Sequence, residues 1–428
     1  MMVSKSVQTE KLNGNIEDDF ITTLLTKMQS EFDFEFYNWL RRQGIKKMVL
    51  VPKLVQKHNL DIKHHEFPFV MDDEFIPEEL LYLDSIRASV PVYRIRLLIE
   101  MKKKPNSRTL KHFKRMINHI KEYDLFRLDL DIHPDFVNTV EWNLSCNHIR
   151  FAPQHHCLFN FAFMYNFKFL YSVEIAQTTV NFKNFTFILK CLNIRILTLI
   201  DCEYTNISEI NKSTKVNLFC LSSTQRFKDY TATELINSFF SAFPCVSHVF
   251  FCGGKLNKIP FHSLNAVNWP TTVESFYFES EEYLDLDLFD DLFSQLKIQE
   301  LKIQMKVADK LPTLRKGNFK DLKKCSFIFD IEKVHDNNVI ESFLFEFVDI
   351  KSVFIEFGIK LGVVLMTRDF EMLLQNENYE LLPMTDSLYM NLVKTGNKYL
   401  LSNETFIYAK AICNLFEKDL PSDIKIIK

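Results

Sequence analysis

The sequence predicts an α/β fold: a curved solenoid of short parallel strands and helices, closed by a helical N-terminal cap and a small C-terminal cap. Three observations predict it. A six-residue apolar pattern recurs at nearly constant spacing. Amphipathic helical stretches fill several of the gaps between its copies. The composition, 47% hydrophobic with 42 Phe, 8 Gly and 13 Pro in 428 residues, supplies a large core and no long flexible linker.

The pattern is apolar-x-x-apolar-x-apolar. It occurs at Leu125-Leu128-Leu130, Cys146-Ile149-Phe151, Leu170-Val173-Ile175, Ile194-Leu197-Leu199 and Val216-Phe219-Leu221. It continues at Val246-Val249-Phe251, Val273-Phe276-Phe278, Ile298-Leu301-Ile303, Leu322-Cys325-Phe327 and Ile350-Val353-Ile355. Nine steps carry the first position from Leu125 to Ile350, a mean of 25 residues per step. One match means little in so hydrophobic a chain; ten in series form a repeat. "TATELINSFFSAF" (Thr231–Phe243) is an amphipathic helix between two copies, with Thr231 or Thr233 as its cap and Pro244 ending it. "DLDLFDDLFSQL" and "DNNVIESFLFEFV" occupy the same place in their units. Strand, turn and helix at this period form a unit that buries its apolar edge only against its neighbours.

"LNIRILTLIDCEYTNISEI" (Leu192–Ile210) carries the fullest copy, L-x-x-L-x-L-x-x-C-x-L with other apolar residues in place of some leucines. This resembles the leucine-rich repeat, and the resemblance spans Leu125 to Phe357. "CGGKLNKIPFHSL" (Cys252–Leu264) is the next fullest match. The family's ninth position is Asn or Cys, whose side chain ties the turn to neighbouring backbone. Only Cys202 fits; His133, Thr178, Thr224, Gly254 and Lys306 stand there in other copies. The resemblance implies three regions: a helical region 1–120, a leucine-rich-repeat-like solenoid 121–358 and a C-terminal cap 359–428. In the last, "GVVLMTRDFEMLLQNENYELLPM" and "NETFIYAKAICNLFEKDL" read as a strand or two and helices. A doubly wound α/β domain is the structural alternative. It normally carries a Gly-rich phosphate loop, and this chain has neither GxGxxG nor GxxxxGK[ST].

In the leucine-rich repeat the strands line the inner, concave surface. Side chains alternate along a strand, so positions 1, 4 and 6 face the core and 3, 5 and 7 face solvent. The early copies place polar residues there: Arg127, Asp129, Asp131, His148 and Arg150. The middle copies place Leu218 and Cys220, then His248 and Phe250, then Ser275, Tyr277 and Glu279. Phe250 and Tyr277 are expected side by side on adjacent strands, about 5 Å apart. An aromatic patch rimmed by charge is a protein-recognition surface. Leu218, His248, Phe250, Tyr277 and Glu279 are therefore the candidate partner-binding residues. The alternative is that another segment of the chain covers this face.

The N-terminal stretch "DDFITTLLTKMQSEFDFEFYNWLRRQ" reads as amphipathic helix. Within it Thr23, Leu24, Met28 and Phe32 are spaced like an elongin-C-binding box. "LVPKLVQKHNL" (Leu50–Leu60), with Pro52 near its start, looks like the box that docks cullin-2. Box, cullin box and leucine-rich repeats in this order resemble the ZYG-11 and ZER-1 type of cullin-2 substrate receptors. Met28 stands where that family has Cys, and Phe32 where it has an aliphatic residue. The resemblance implies elongin C and a cullin as partners, with Leu24, Met28, Phe32 and Pro52 as adaptor-docking residues. The same helices also serve as the N-terminal cap that a solenoid requires.

Catalytic and cofactor signatures are missing from the sequence. GxSxG and HExxH are absent. His64-His65 and His155-His156-Cys157 have no partner at metal-ligand spacing, so no metal or cofactor is expected. The nine cysteines lack CxxC spacing and mostly sit in apolar runs (Cys191, Cys220, Cys245, Cys252, Cys325), which predicts buried, reduced thiols in a cytoplasmic or nuclear protein. Without a polar-flanked apolar leader or a run of 18 apolar residues, neither a signal peptide nor a membrane span is expected. Net charge is −3, and only "KKKPNSRTLKHFKR" (Lys102–Arg115) is locally basic; it reads as the solvated face of a helix, with phosphate or RNA contact as the alternative, so nucleic acid is not an expected partner. These features point to a non-enzymatic protein-recognition module, most concretely a substrate receptor of a cullin-type ubiquitin ligase. The alternative is a free-standing repeat scaffold or inhibitor that wraps its partner, and a nucleic-acid-binding regulator comes third.

Overall fold

The protein is seen here as a computed structural model. It describes residues 20, 23–24, 34–57, 66–90, 94–101, 103–137, 139–153, 160–208, 211–212, 215–223, 229–251, 261–283, 296–307, 321–331, 352–357, 363–367, 393–395, 398–402 and 424–427. The chain divides into two compact units, Met1–Ile194 with Cys202–Thr205, and Arg195–Asp201 with Asn206–Lys428.

In chain order the first unit holds α1 (Phe34–Gln43), α2 (Ile45–Lys57), β1 (Phe67–Met71), α3 (Leu80–Ser89), β2 (Ile95–Met101), α4 (Ser107–Ile120) and β3 (Asp124–Ile132). Then come α5 (Pro134–Val137), β4 (Ser145–Phe151), a 3₁₀ turn (Phe161–Asn166), β5 (Ser172–Ala176), β6 (Thr179–Asn181) and α6 (Phe182–Cys191). Next, β7 (Ile196–Ile200) belongs to the second unit and β8 (Glu203–Thr205) to the first. The second unit continues with β9 (Leu218–Ser222), α7 (Ala232–Ala242), β10 (His248–Phe251), a 3₁₀ turn (Phe261–Ala266), β11 (Ser275–Tyr283), β12 (Glu300–Val307), β13 (Lys324–Ile331), β14 (Ser352–Phe357) and β15 (Val363–Thr367). It ends with β16 (Val393–Thr395), β17 (Lys398–Ser402) and β18 (Ile424–Ile427).

The fold is α/β with parallel strands. In the first unit β1 to β5 pair in chain order, all parallel, with Phe69↔Leu97↔Leu128↔Ile149↔Val173 in one row. In the second, β7 and β9 to β14 do the same, with Leu197↔Phe219↔Val249↔Phe276↔Leu301↔Cys325↔Val353 in one row. From Leu128 onward these are the fourth positions of the recurring apolar pattern. Positions 1, 4 and 6 are buried in every copy whose burial is described throughout, for example Val246, Val249 and Phe251 at 0% exposure. A strand shifted by one residue would turn positions 4 and 6 to the opposite face, so burial of these side chains fixes the register.

Region 1–120, expected to be helical, also contains β1 and β2, so the parallel sheet begins earlier than the pattern indicated. The cause is local. Fourth and sixth positions are apolar (Phe69 and Met71, Leu97 and Ile99), but the first positions are Glu66 and Arg94. Past the last copy, β15 pairs antiparallel with β14, and β16, β17 and β18 form a separate three-stranded sheet. The helices expected in region 359–428 lie outside the described residues, as do "DLDLFDDLFSQL" up to Gln295 and "DNNVIESFLFEFV".

Helices start where capping chemistry allows. Thr231 caps α7: its Oγ1 accepts from Glu234 N–H at 3.2 Å, and Thr231 N–H donates to Glu234 Oε2 at 2.7 Å. Donation from the Thr231 backbone N–H and from its hydroxyl holds the exposed Glu234 carboxyl below its usual pKa. Asn106 and Thr109 form the equivalent box at α4. Between α1 and α2 the chain turns at Gly44, whose φ of +89° disfavours any side chain.

Aromatic rings join helices to strands. In the first unit Trp142 is 1% exposed, donates Nε1–H to Val137 O at 2.8 Å and lies 5.8 Å from the Phe113 ring of α4. In the second, Phe219 meets Phe239 of α7 at 4.7 Å, and Trp269 meets Phe276 at 5.5 Å. Each such ring stabilises the fold by about 2–3 kcal/mol through burial. A polar clamp fixes α1 beside β1: Arg41 donates to Asp72 Oδ2 at 2.7 Å and to Val70 O at 3.2 Å, and Tyr37 O–H donates to buried Glu79 at 2.7 Å. Burial pushes the Glu79 carboxyl up despite these partners.

Candidate functional site

Each unit has a sheet face opposite its helices, lined by positions 3 and 5 of its strands where their side chains are described, and the two faces differ.

In the first unit the open face is an ion-pair ladder. Asp129, its side chain 2% exposed, accepts from Arg96 Nε at 3.1 Å and Arg127 Nε at 2.7 Å. Glu174 accepts from Arg150 Nε at 2.7 Å, with Arg127 Nη2 at 3.6 Å. Arg96 also stacks on the Phe34 ring, 4.6 Å from its centroid. His148 Nδ1 and Ser172 Oγ are 2.6 Å apart. Burial and the neighbouring Arg127 lower the His148 pKa to about 4, so the imidazole is neutral at neutral pH. Ser172, His148 and Glu174 are the residue types of a hydrolytic triad, but their arrangement does not suit acyl transfer. Ser172 is 4% exposed, Glu174 is held by Arg150, and its nearest oxygen is 3.8 Å from His148 Nε2.

In the second unit, rows set by the register are Ile196↔Leu218↔His248↔Ser275↔Glu300 and Thr198↔Cys220↔Phe250↔Tyr277↔Lys302. Leu218, His248, Phe250, Tyr277 and Glu279 are all half-buried on this face. Phe250 and Tyr277 are direct register partners. Their ring centroids are 5.7 Å apart at 64°, an edge-on contact. Lys302 Nζ sits 4.7 Å over the Tyr277 ring, and Tyr277 O–H donates to Glu279 Oε2 at 3.1 Å. Tyr277 is thus held by a ring, a cation and a carboxylate. Sequence reasoning missed Lys302, whose adjacency to Tyr277 depends on pairing across 25 positions. A lysine at the fifth position of the following copy was the available signal.

The adaptor-docking residues are placed differently. Leu24 is 1% exposed and Pro52 lies buried within α2, so neither side chain offers surface to an adaptor. Met28 and Phe32 lie outside the described residues.

The described cysteines only partly follow the expectation of burial. Cys146 and Cys202 are buried, Cys220 is half-buried, and Cys191 and Cys245 are exposed. Burial pushes the Cys146 thiol pKa up to about 12. Cys202, at the repeat's ninth position, donates its thiol to Ile175 O at 3.5 Å, while Glu203 N–H donates to Thr178 O at 3.0 Å. Among the described residues no group of three His, Cys, Asp or Glu is placed to hold a metal ion; His64-His65 and His155-His156-Cys157 lie outside them. No described helix is long and apolar enough to cross a membrane. Comparison with protein-family models and with curated proteins finds no match to this chain.

Proposed function

We propose that the protein is a non-enzymatic recognition module built on a leucine-rich-repeat-like solenoid, and that the open sheet face of the second unit grips a protein partner. One observation carries this reading: the edge-on Phe250–Tyr277 pair, flanked by Lys302 and Glu279, on a half-exposed sheet face. Rigid aromatics at the centre of a charged rim concentrate binding energy. The solenoid is supported by the single register of fourth positions in each unit and by the Cys202 thiol reaching Ile175 O. Burial of Leu24 and Pro52 supports α1 and α2 as a cap, which favours a free-standing scaffold or inhibitor. The adaptor-bound version, a cullin-type substrate receptor, requires those side chains to leave the core.

Affinity capture followed by mass spectrometry tests both. We expect wild type to retain a stoichiometric protein that Phe250→Ala/Tyr277→Ala loses, with no elongin or cullin subunit. Retention of the same prey by the double variant overturns the assigned surface. Elongin C bound to wild type overturns the cap reading.

A further inference from the structure

A second surface lies on α4 of the first unit, away from the open sheet face. We propose that the outer face of α4 binds the phosphate backbone of double-stranded nucleic acid. Arg108, Lys111, Lys114 and Arg115 are all exposed. On a helix they fall on one side, opposite the buried Phe113, Met116, Ile117 and Ile120. Arg108 to Lys111 advances about 4.5 Å along the axis, and Lys111 to Arg115 about 6 Å. The helix contains no acidic residue. Four carboxylates meet groups other than these cations: Asp73 pairs with Lys103, Asp135 with Lys104 and Glu122 with Arg87, and Asp84 meets His119 of α4 itself. None of the four cations forms an ion pair with a described residue, so they make an uncompensated stripe on a chain whose net charge is −3.

The chemistry of the face selects the occupant. An anionic membrane is taken up by amphipathic helices that bury their apolar side in lipid. Here that side is spent, since Phe113, Met116 and Ile120 are 0% exposed. Single-stranded nucleic acid needs aromatic platforms for its bases, and the only ring of α4 outside the imidazoles, Phe113, is buried. An acidic protein interface is built around an apolar core, which the stripe lacks. A duplex offers a fixed array of phosphates and asks only for cations, which position it without reading sequence.

Fluorescence anisotropy of the full chain with a labelled 20-base-pair DNA duplex tests the proposal. With three to four phosphate contacts, log affinity should fall against log salt with a slope of about −3, roughly a hundredfold loss between 50 and 200 mM. Arg108→Gln/Lys111→Gln/Arg115→Gln should weaken binding at least tenfold at 50 mM and flatten the slope by about 3. These side chains are exposed, so circular dichroism should show an unchanged fold. Lys168→Gln/Lys190→Gln/Lys212→Gln, exposed charges elsewhere, should bind like wild type. No binding by wild type at 50 mM overturns the proposal, as does a triple α4 variant that binds normally. Equal affinity for a polyglutamate peptide, for anionic phosphatidylserine vesicles or for the single strand also overturns it, by identifying another occupant.

Discussion

The two open sheet faces present the same strand positions with opposite chemistry. In the first unit Arg96, Arg127, Asp129, Arg150 and Glu174 satisfy one another across adjacent strands. In the second unit the corresponding positions hold Leu218, Cys220, Phe250 and Tyr277. A ladder of paired charges gains little from a partner, which would have to desolvate it. A half-exposed aromatic pair gains by being covered. The parallel architecture fixes positions 4 and 6 by burial and leaves positions 3 and 5 free to carry either paired charges or aromatic rings.

The largest expected effect breaks the first face. Asp129→Ala leaves Arg96 and Arg127 facing each other without their buried acceptor and should cost about 3 kcal/mol in urea unfolding. Glu279→Ala in the second unit should cost less than about 1 kcal/mol. Equal losses at the two positions would contradict the contrast.

A pH series sharpens the comparison next. The native His148 pKa of about 4 lies below its ordinary value of 6.5. Below about pH 6.5 the unfolded chain takes up a proton that the native site resists. The stabilising contribution is therefore whole above pH 6.5 and is lost as pH falls toward 4, by up to about 3 kcal/mol. His148→Gln should remove most of this slope, which stability measured between pH 7 and 4 will reveal. A slope unchanged in the variant would place its origin elsewhere.

Smaller effects belong to the second face. Phe250→Ala should cost about 1 kcal/mol of stability through the lost ring pair, while removing partner binding by tenfold or more. Lys302→Gln, which takes the cation from the Tyr277 ring, should cost about 0.5 kcal/mol in the same assay. A destabilisation by Phe250→Ala as large as that of Asp129→Ala would mean that the ring is core rather than contact surface.

Much of the strand register was legible because burial demands it. Every third, then second, residue must be apolar for a strand to pack on its helices, and that constraint is local. Legibility ended where a copy broke its own pattern: Glu66 and Arg94 hid β1 and β2, although Phe69, Met71, Leu97 and Ile99 obey it. The pairing of Phe250 with Tyr277 followed from equal offsets in adjacent copies. The ladder was half visible. Arg127, Asp129 and Arg150 stood out as polar, but Glu174 and Arg96 are linked to them only across neighbouring strands. The spacing of Leu24 carried no information on its burial, which depends on tertiary packing rather than on spacing.

The central claim is that the second unit's open face, and not the first's, holds the partner. Site-specific photocross-linking tests it most directly, with benzoylphenylalanine placed either at Tyr277 or at Leu98, the half-buried register partner of Asp129 on the first unit's open face. The account predicts that the captured partner forms an adduct with the probe at Tyr277 and none at Leu98. An adduct at Leu98 with none at Tyr277 would contradict it.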